Sequence, residues 1–228
     1  MRTNACNSKL FIPRSGRLER VTLTGPAPAG FILYISRMKK GRLEAFSDGV
    51  IAIIITIMVL ELHIPHSDHI RDLAPVLPVL FSYVLSFIYV GIYWNNHHHM
   101  IYAVERINGA VLWANLNLLF WLSLIPFATA WMGENSFTRW PVILYGAVLS
   151  MAGFAYDLLC RLLVREAGEG SALAEALGRD WKGKVSVLAY AVAIGLAFVN
   201  TWISVALYVV VAAMWFTPDR RIEKKVRE

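Results

Sequence analysis

The sequence predicts an all-α membrane protein with six transmembrane helices, and three observations carry that reading. Of the 228 residues 57% are hydrophobic, 12% aromatic and only 17% charged, against about 25% charged residues in soluble domains. Apolar runs long enough for a hydrocarbon core of about 30 Å recur along the chain, and the mean hydropathy is +0.51. Lys and Arg gather beside those runs, as orientation signals do. The net charge of +6 therefore has a membrane explanation, and no basic stripe interleaved with aromatics points to nucleic acid. Cys6 lies in a polar tail and Cys160 in an apolar segment, which implies neither a disulfide nor a metal site.

Residues 1–37 are rich in Arg, Ser, Pro and Gly, with a short apolar patch from Phe31 to Ile35. That patch is too short for a signal-peptide core or a span, so a disordered N-terminal tail is expected. Met38 opens M-K-K-G-R and offers an alternative start, with residues 1–37 upstream of the working protein. The unit of interest then runs over 38–217.

The first span, about 46–63, follows a polar cluster of Arg42, Glu44, Ser47 and Asp48. Charged groups are costly in lipid, so this end is expected to face protein or water. At 100° per residue Ile53, Ile57 and Leu60 fall on one stripe. Ala45, Gly49, Ala52 and Thr56 form a neighbouring stripe of small residues, which lets helices approach closely in a membrane. Periodicity alone leaves open whether these stripes are ordinary packing faces.

Pro65 ends that span, and His63, His66, Asp68, His69 and Asp72 read as a solvated connection, since none shows the helical His spacing of a zinc motif. The second span, about 73–95, has Pro75 and Pro78 in its first turns, where proline is tolerated. It runs into Trp94, Asn95, Asn96, His97, His98 and His99. Consecutive helical residues point in three directions, so the three histidines cannot all ligate one ion. Two crossings return the chain to the side of the Arg42/Asp48 cluster, where one histidine can turn inward.

The third span, about 107–132, carries Asn108, Asn115 and Asn117, which need interhelical partners, and Pro126, which should kink it. The fourth, about 141–164, carries Asp157 and Arg161 at the i, i+4 spacing of a helix-surface pair. Residues 165–184 form a charged loop. The apolar stretch Val185 to Phe216 would measure about 48 Å as one helix, too long for one crossing. Two spans, 185–199 and 201–217, joined by a turn at Asn200 are expected instead. The tail 218–228 is basic. Arg37, Lys39, Lys40, Arg42, the loop after span four and the tail outnumber Arg71 and Arg139 on the other side. The positive-inside rule thus predicts a multi-pass cell-membrane protein with both termini cytoplasmic.

The string Arg42-x-x-x-Phe46-Ser47-Asp48, followed by G-V-I-A-I, then Thr56 and Leu60-Glu61-Leu62, resembles the signature of the transmembrane protein 175 family, the lysosomal potassium channel and its prokaryotic relatives. The resemblance covers about 38–217. It implies a potassium-permeable channel in which chains with one six-span unit form a homotetramer around a central pore. It further implies that the first helix lines the pore, with Ile53 at the constriction, Ile57 and Leu60 as further layers and Thr56 as a polar position near the pore. Arg42, Phe46, Ser47 and Asp48 match the family's structural and gating motif; Trp94 and His97 or His98 would be its local partners. The implied partners are further copies of the chain, the bilayer and permeant K⁺, with no cofactor and no metal.

No T-V-G-Y-G run is present, so a carbonyl-lined potassium filter is not expected. A ring of isoleucines offers no oxygen ligands and can gate by dewetting, which predicts a leak-type conductance with modest preference for K⁺ over Na⁺. The competing expectation is a proton-coupled secondary transporter with Asp48 and a histidine as relay, though no internal repeat of the kind such carriers use is evident. The carboxylates and histidines form no catalytic spacing, so an enzyme is not expected.

Overall fold

The computed structural model describes residues 9–14, 17–22, 38–65, 68–104, 106–168, 171, 174 and 181–216. The chain divides into two compact units, Met1–Met38 and Lys39–Glu228. The first contains an antiparallel hairpin, β1 (Lys9–Arg14) with β2 (Arg17–Thr22), paired from Lys9 with Thr22 to Arg14 with Arg17. Nothing in the composition of this polar tail pointed to that pairing.

The second unit is helical. Helix α1 (Gly41–Leu60) is the least obvious from local propensity, because Val50, Ile51 and the run from Ile53 to Ile57 are β-branched, a composition that favours strands in water. In hydrocarbon every backbone N–H and C=O needs an internal partner, and a single segment can supply that only as a helix. It begins at Gly41, so Arg42 and Glu44 lie in its first turn, where an acidic side chain complements the helix dipole.

After a 3₁₀ turn over Ile70–Val76 comes α2 (Leu77–Tyr102), with Pro78 in its first turn. It continues through Trp94 and the three histidines, which therefore stand on regular helix. Next come α3 (Gly109–Ser123) and α4 (Ile125–Glu134). The Asn108 side chain caps α3, accepting from the Val111 N–H at 3.0 Å. The path breaks at Leu124, two residues before Pro126, whose missing N–H is harmless in the first turn of α4.

A tight turn leads into α5 (Arg139–Ala167). Ser136 and Phe137 have φ of 47° and 59° there, a left-handed conformation that costs about 1–2 kcal/mol per residue. Phe137 offsets this by burying its ring between Phe81 and Trp202, with centroids 5.6 and 5.1 Å away. The unit closes with α6 (Trp181–Leu196) and α7 (Thr201–Phe216). Asn200 sits between them and accepts from the Trp202 N–H at 2.9 Å.

Among the described residues four helical stretches are long and apolar enough to cross a membrane: Gly41–Leu60, Ile70–Tyr102, Gly109–Glu134 and Arg139–Ala167. Helix α7 is apolar but shorter. The core is held by small residues and paired polar groups. A Cβ at Gly133 would lie 2.7 Å from the Val79 Cα, so α4 meets α2 backbone to backbone. At Gly146 a Cβ would overlap the Tyr208 hydroxyl. Tyr208 donates to the Val142 carbonyl at 3.1 Å and Tyr89 to the Tyr208 carbonyl at 2.6 Å. Thr129 donates to Ser86 at 2.7 Å, and Ser86 lies 3.0 Å from the Tyr145 hydroxyl. These pairings are what a buried polar group needs.

Candidate functional site

Helix α1 has two unlike sides. Leu43, Ser47, Ile51, Ile54 and Met58 are buried against the chain's other helices. Arg42, Ala45, Phe46, Gly49, Ala52, Ile53, Thr56, Ile57 and Leu60 are exposed. Ile53, Ile57 and Leu60 are 57%, 42% and 78% exposed, far more than a helix inside a bundle leaves on its aliphatic residues. The small stripe lies on the same open side, and a Cβ at Gly49 would meet nothing within 4 Å. Within one chain neither stripe is therefore a packing face. Thr56 turns its hydroxyl back onto its own helix, donating to the carbonyls of Ile53 and Ala52 at 3.0 and 3.1 Å.

The first turns of α1 meet the last turns of α2, because both ends lie at the same end of the bundle. Three sets of contacts join them. Ser47, fully buried, donates to the Leu43 carbonyl at 2.8 Å and accepts from the Asn115 amide at 2.9 Å. The Asn115 Oδ1 in turn lies 2.7 Å from His97 Nε2, which makes that nitrogen the donor. Ser47, Asn115 and His97 are each almost wholly buried, so one chain of bonds ties α1, α3 and α2 together. His97 Nδ1 is buried and finds no hydrogen-bond partner among the described residues.

The second set is more open. Trp94 donates its indole N–H to Asp48 at 3.1 Å, and His98 Nδ1 lies 3.5 Å from a Glu44 carboxylate oxygen. Trp94 and His98 stack with centroids 6.1 Å apart and planes 24° from parallel. In the third, Lys40 donates to the carbonyls of Tyr102 and Ile101 at 2.7 and 3.3 Å. It also lies over the Tyr102 ring, 4.8 Å from its centroid. An ammonium at a helix C-terminus answers the carbonyls that have no partner within the helix.

The residues singled out from sequence thus divide. Ser47, Asp48, Trp94, His97 and His98 converge; Arg42 and Phe46 are exposed beside them and take no part in these bonds. Asp48 bonds Trp94 rather than a histidine. Asn115 was visible only as a polar residue in need of a partner, and the roles of Glu44 and Lys40 had no sequence signal beyond their charge. Among the described residues no three His, Cys, Asp or Glu side chains come together to hold a metal ion.

Known proteins share this arrangement of chain. The sequence profile of the endosomal/lysosomal potassium channel TMEM175 matches residues 42–126, which contain α1, the histidine end of α2 and Asn115. A potassium channel of Chryseobacterium sp. strain P1-3 is 51% identical over 191 residues, 84% of this chain and 100% of that one. A potassium channel of Streptomyces collinus is 30% identical over 75% of this chain and 88% of its own. The crystal structure of a lysosomal potassium-selective channel TMEM175 homologue from Chamaesiphon minutus superposes with a TM-score of 0.68 at 27% identity, covering 77% of this chain and 95% of that one. With half the aligned residues shared along the full length of one such protein, and the fold shared with another, the chain belongs to the TMEM175 family.

Proposed function

We propose that this chain is a leak-type potassium-permeable channel of the cell membrane. Four copies assemble around a central pore lined by α1, and each chain crosses the bilayer six times with both termini cytoplasmic. The observation that carries this is the open side of α1, where Ile53, Ile57 and Leu60 stand uncovered beside a row of small residues. Lipid would be satisfied by aliphatic residues alone. A contiguous row of Ala45, Gly49 and Ala52 is what the close approach of another helix requires, and a further copy of α1 meets that need at a symmetry axis.

In such an assembly Ile53, Ile57 and Leu60 form successive hydrophobic rings. They have no oxygens to replace the hydration shell of an ion, so conduction depends on whether the constriction is wetted. Thr56 contributes a hydroxyl next to them. The relatives named above as potassium channels supply the permeant ion, and discrimination against Na⁺ should be modest without a carbonyl-lined filter. The Ser47–Asn115–His97 chain and the Asp48–Trp94 bond fix how far α1 can turn about its own axis, and so hold Ile53 toward the axis.

The test is K⁺ flux from liposomes containing the purified chain, with Na⁺ and H⁺ as comparison ions. Downhill K⁺ flux with no coupled ion is expected. Ile53→Asn wets the constriction, so flux should rise severalfold and the preference for K⁺ should fall. Unchanged flux in that variant removes Ile53 from the pore; flux strictly coupled to protons and lost in Asp48→Asn overturns the channel altogether.

A further inference from the structure

Away from α1, a cavity of about 720 Å³ opens between α2, α5, α6 and α7. That volume falls within the range of about 300–1,000 Å³ typical of ligand pockets. Its lining is graded along three helices in the same sense. On α2 it runs from Tyr89 to Asn96, on α5 from Gly153 and Phe154 to Arg165 and on α6 from Tyr190 to Lys184 and Gly183, spans of about 10, 18 and 10 Å at a helical rise of about 1.5 Å per residue. Each helix therefore puts an aromatic ring at or next to the deep end and a polar or cationic group at or next to the mouth. Trp215 of α7 stands with the mouth residues.

Among the described lining residues the charges at the mouth do not cancel. Asp157 accepts from Arg161 at 2.8 Å, which neutralises both, while Arg165 and Lys184 add positive charge to the same rim. This is the end of the bundle at which Arg and Lys mark the cytoplasmic side under the positive-inside rule. An apolar, aromatic interior below a cationic rim at headgroup depth matches an anionic amphiphile, with its charged group held by cations and its chain in the cavity.

We infer that this cavity is a binding site for an anionic glycerophospholipid of the cytoplasmic leaflet. Its phosphate rests at Arg165 and Lys184, and an acyl chain lies over Phe154 and Tyr190. Nothing in the pore mechanism uses these residues, so the site can be tested without reference to conduction.

The experiment is native mass spectrometry of the full chain equilibrated with phosphatidylglycerol and phosphatidylcholine in equal amounts. Wild type should retain phosphatidylglycerol in preference. Arg165→Gln and Lys184→Gln should each weaken that retention by about fivefold, the effect of about one basic residue near an anionic headgroup. Val187→Trp fills the cavity and keeps every charge, and should abolish retention while helix content and assembly size stay as in wild type. Equal retention of the two lipids by wild type overturns the inference. So does full retention by Val187→Trp, which would make the basic residues a surface patch only. A second readout avoids those variants: phosphatidylglycerol brominated on the acyl carbons next to its glycerol, at the depth of Trp215, should quench wild-type tryptophan fluorescence more than it quenches Trp215→Phe. Equal quenching of the two proteins also overturns it.

Discussion

Asn115 holds two buried groups at once, donating to Ser47 and receiving the proton of His97, with distances of 2.9 and 2.7 Å. Replacing it by alanine strands both partners in a place that water does not reach. Interhelical hydrogen bonds in membranes are individually modest, but an unpaired buried polar group is costly, so Asn115→Ala should lower stability by about 1–2 kcal/mol. Ser47→Ala should cost less, because the serine also donates to its own helix at Leu43 and leaves only one Asn115 proton unpaired. Thermal unfolding of the two variants in the same detergent decides this; a larger loss for Ser47→Ala would mean that the chain of bonds does not act as described. The partnership of Asn115 was half legible. Its sequence setting showed a polar residue in an apolar helix, but which partner it finds depends on the rotation of three helices about their axes, and no periodicity within one helix carries that. Trp94 and the histidines were easier to place near Asp48, since counting two crossings brings those ends of α1 and α2 together.

At the scale of the element, two glycines make opposite demands. Gly133 of α4 lies where a Cβ would strike the Ser82 hydroxyl and the Val79 backbone, and backbone cannot swing aside. Gly133→Leu should therefore force α4 away from α2 at a cost of about 1–3 kcal/mol, seen as a lower unfolding temperature. Gly49 of α1 has open space where its Cβ would be, so Gly49→Leu should leave the fold of one chain intact and act only between chains. Its expected signature is normal helix content with a weakened assembly on size-exclusion chromatography with light scattering. If Gly49→Leu assembled as wild type does, the small stripe would have no part in association. Element ends were the least legible feature. Helix α2 runs on to Tyr102 through Asn and His residues because hydropathy marks where the bilayer stops, whereas a helix stops only where its backbone bonds do. The break at Leu124 was easier, since Pro126 removes a backbone donor wherever it falls.

The class of the whole molecule was legible from composition because lipid imposes one rule on every spanning segment: apolar outside and hydrogen-bonded within. Assembly was not legible in the same way. A face turned to lipid and a face turned to a hydrophobic pore are both aliphatic, and in a single chain both are simply exposed, as Ile57 and Leu60 on α1 and Leu188 and Val210 elsewhere all are. Water separates them. A thiol reacts with a charged methanethiosulfonate reagent only as the thiolate, which forms where water can reach. In a Cys6→Ser, Cys160→Ala background, cysteine at position 57 or 60 should be modified from the aqueous side, and the added charge should change K⁺ flux severalfold. Cysteine at 188 or 210 should stay unmodified, with flux unaltered. Should 57 and 60 prove as inert as 188 and 210, α1 would face lipid and the proposed pore would have to be lined by another helix.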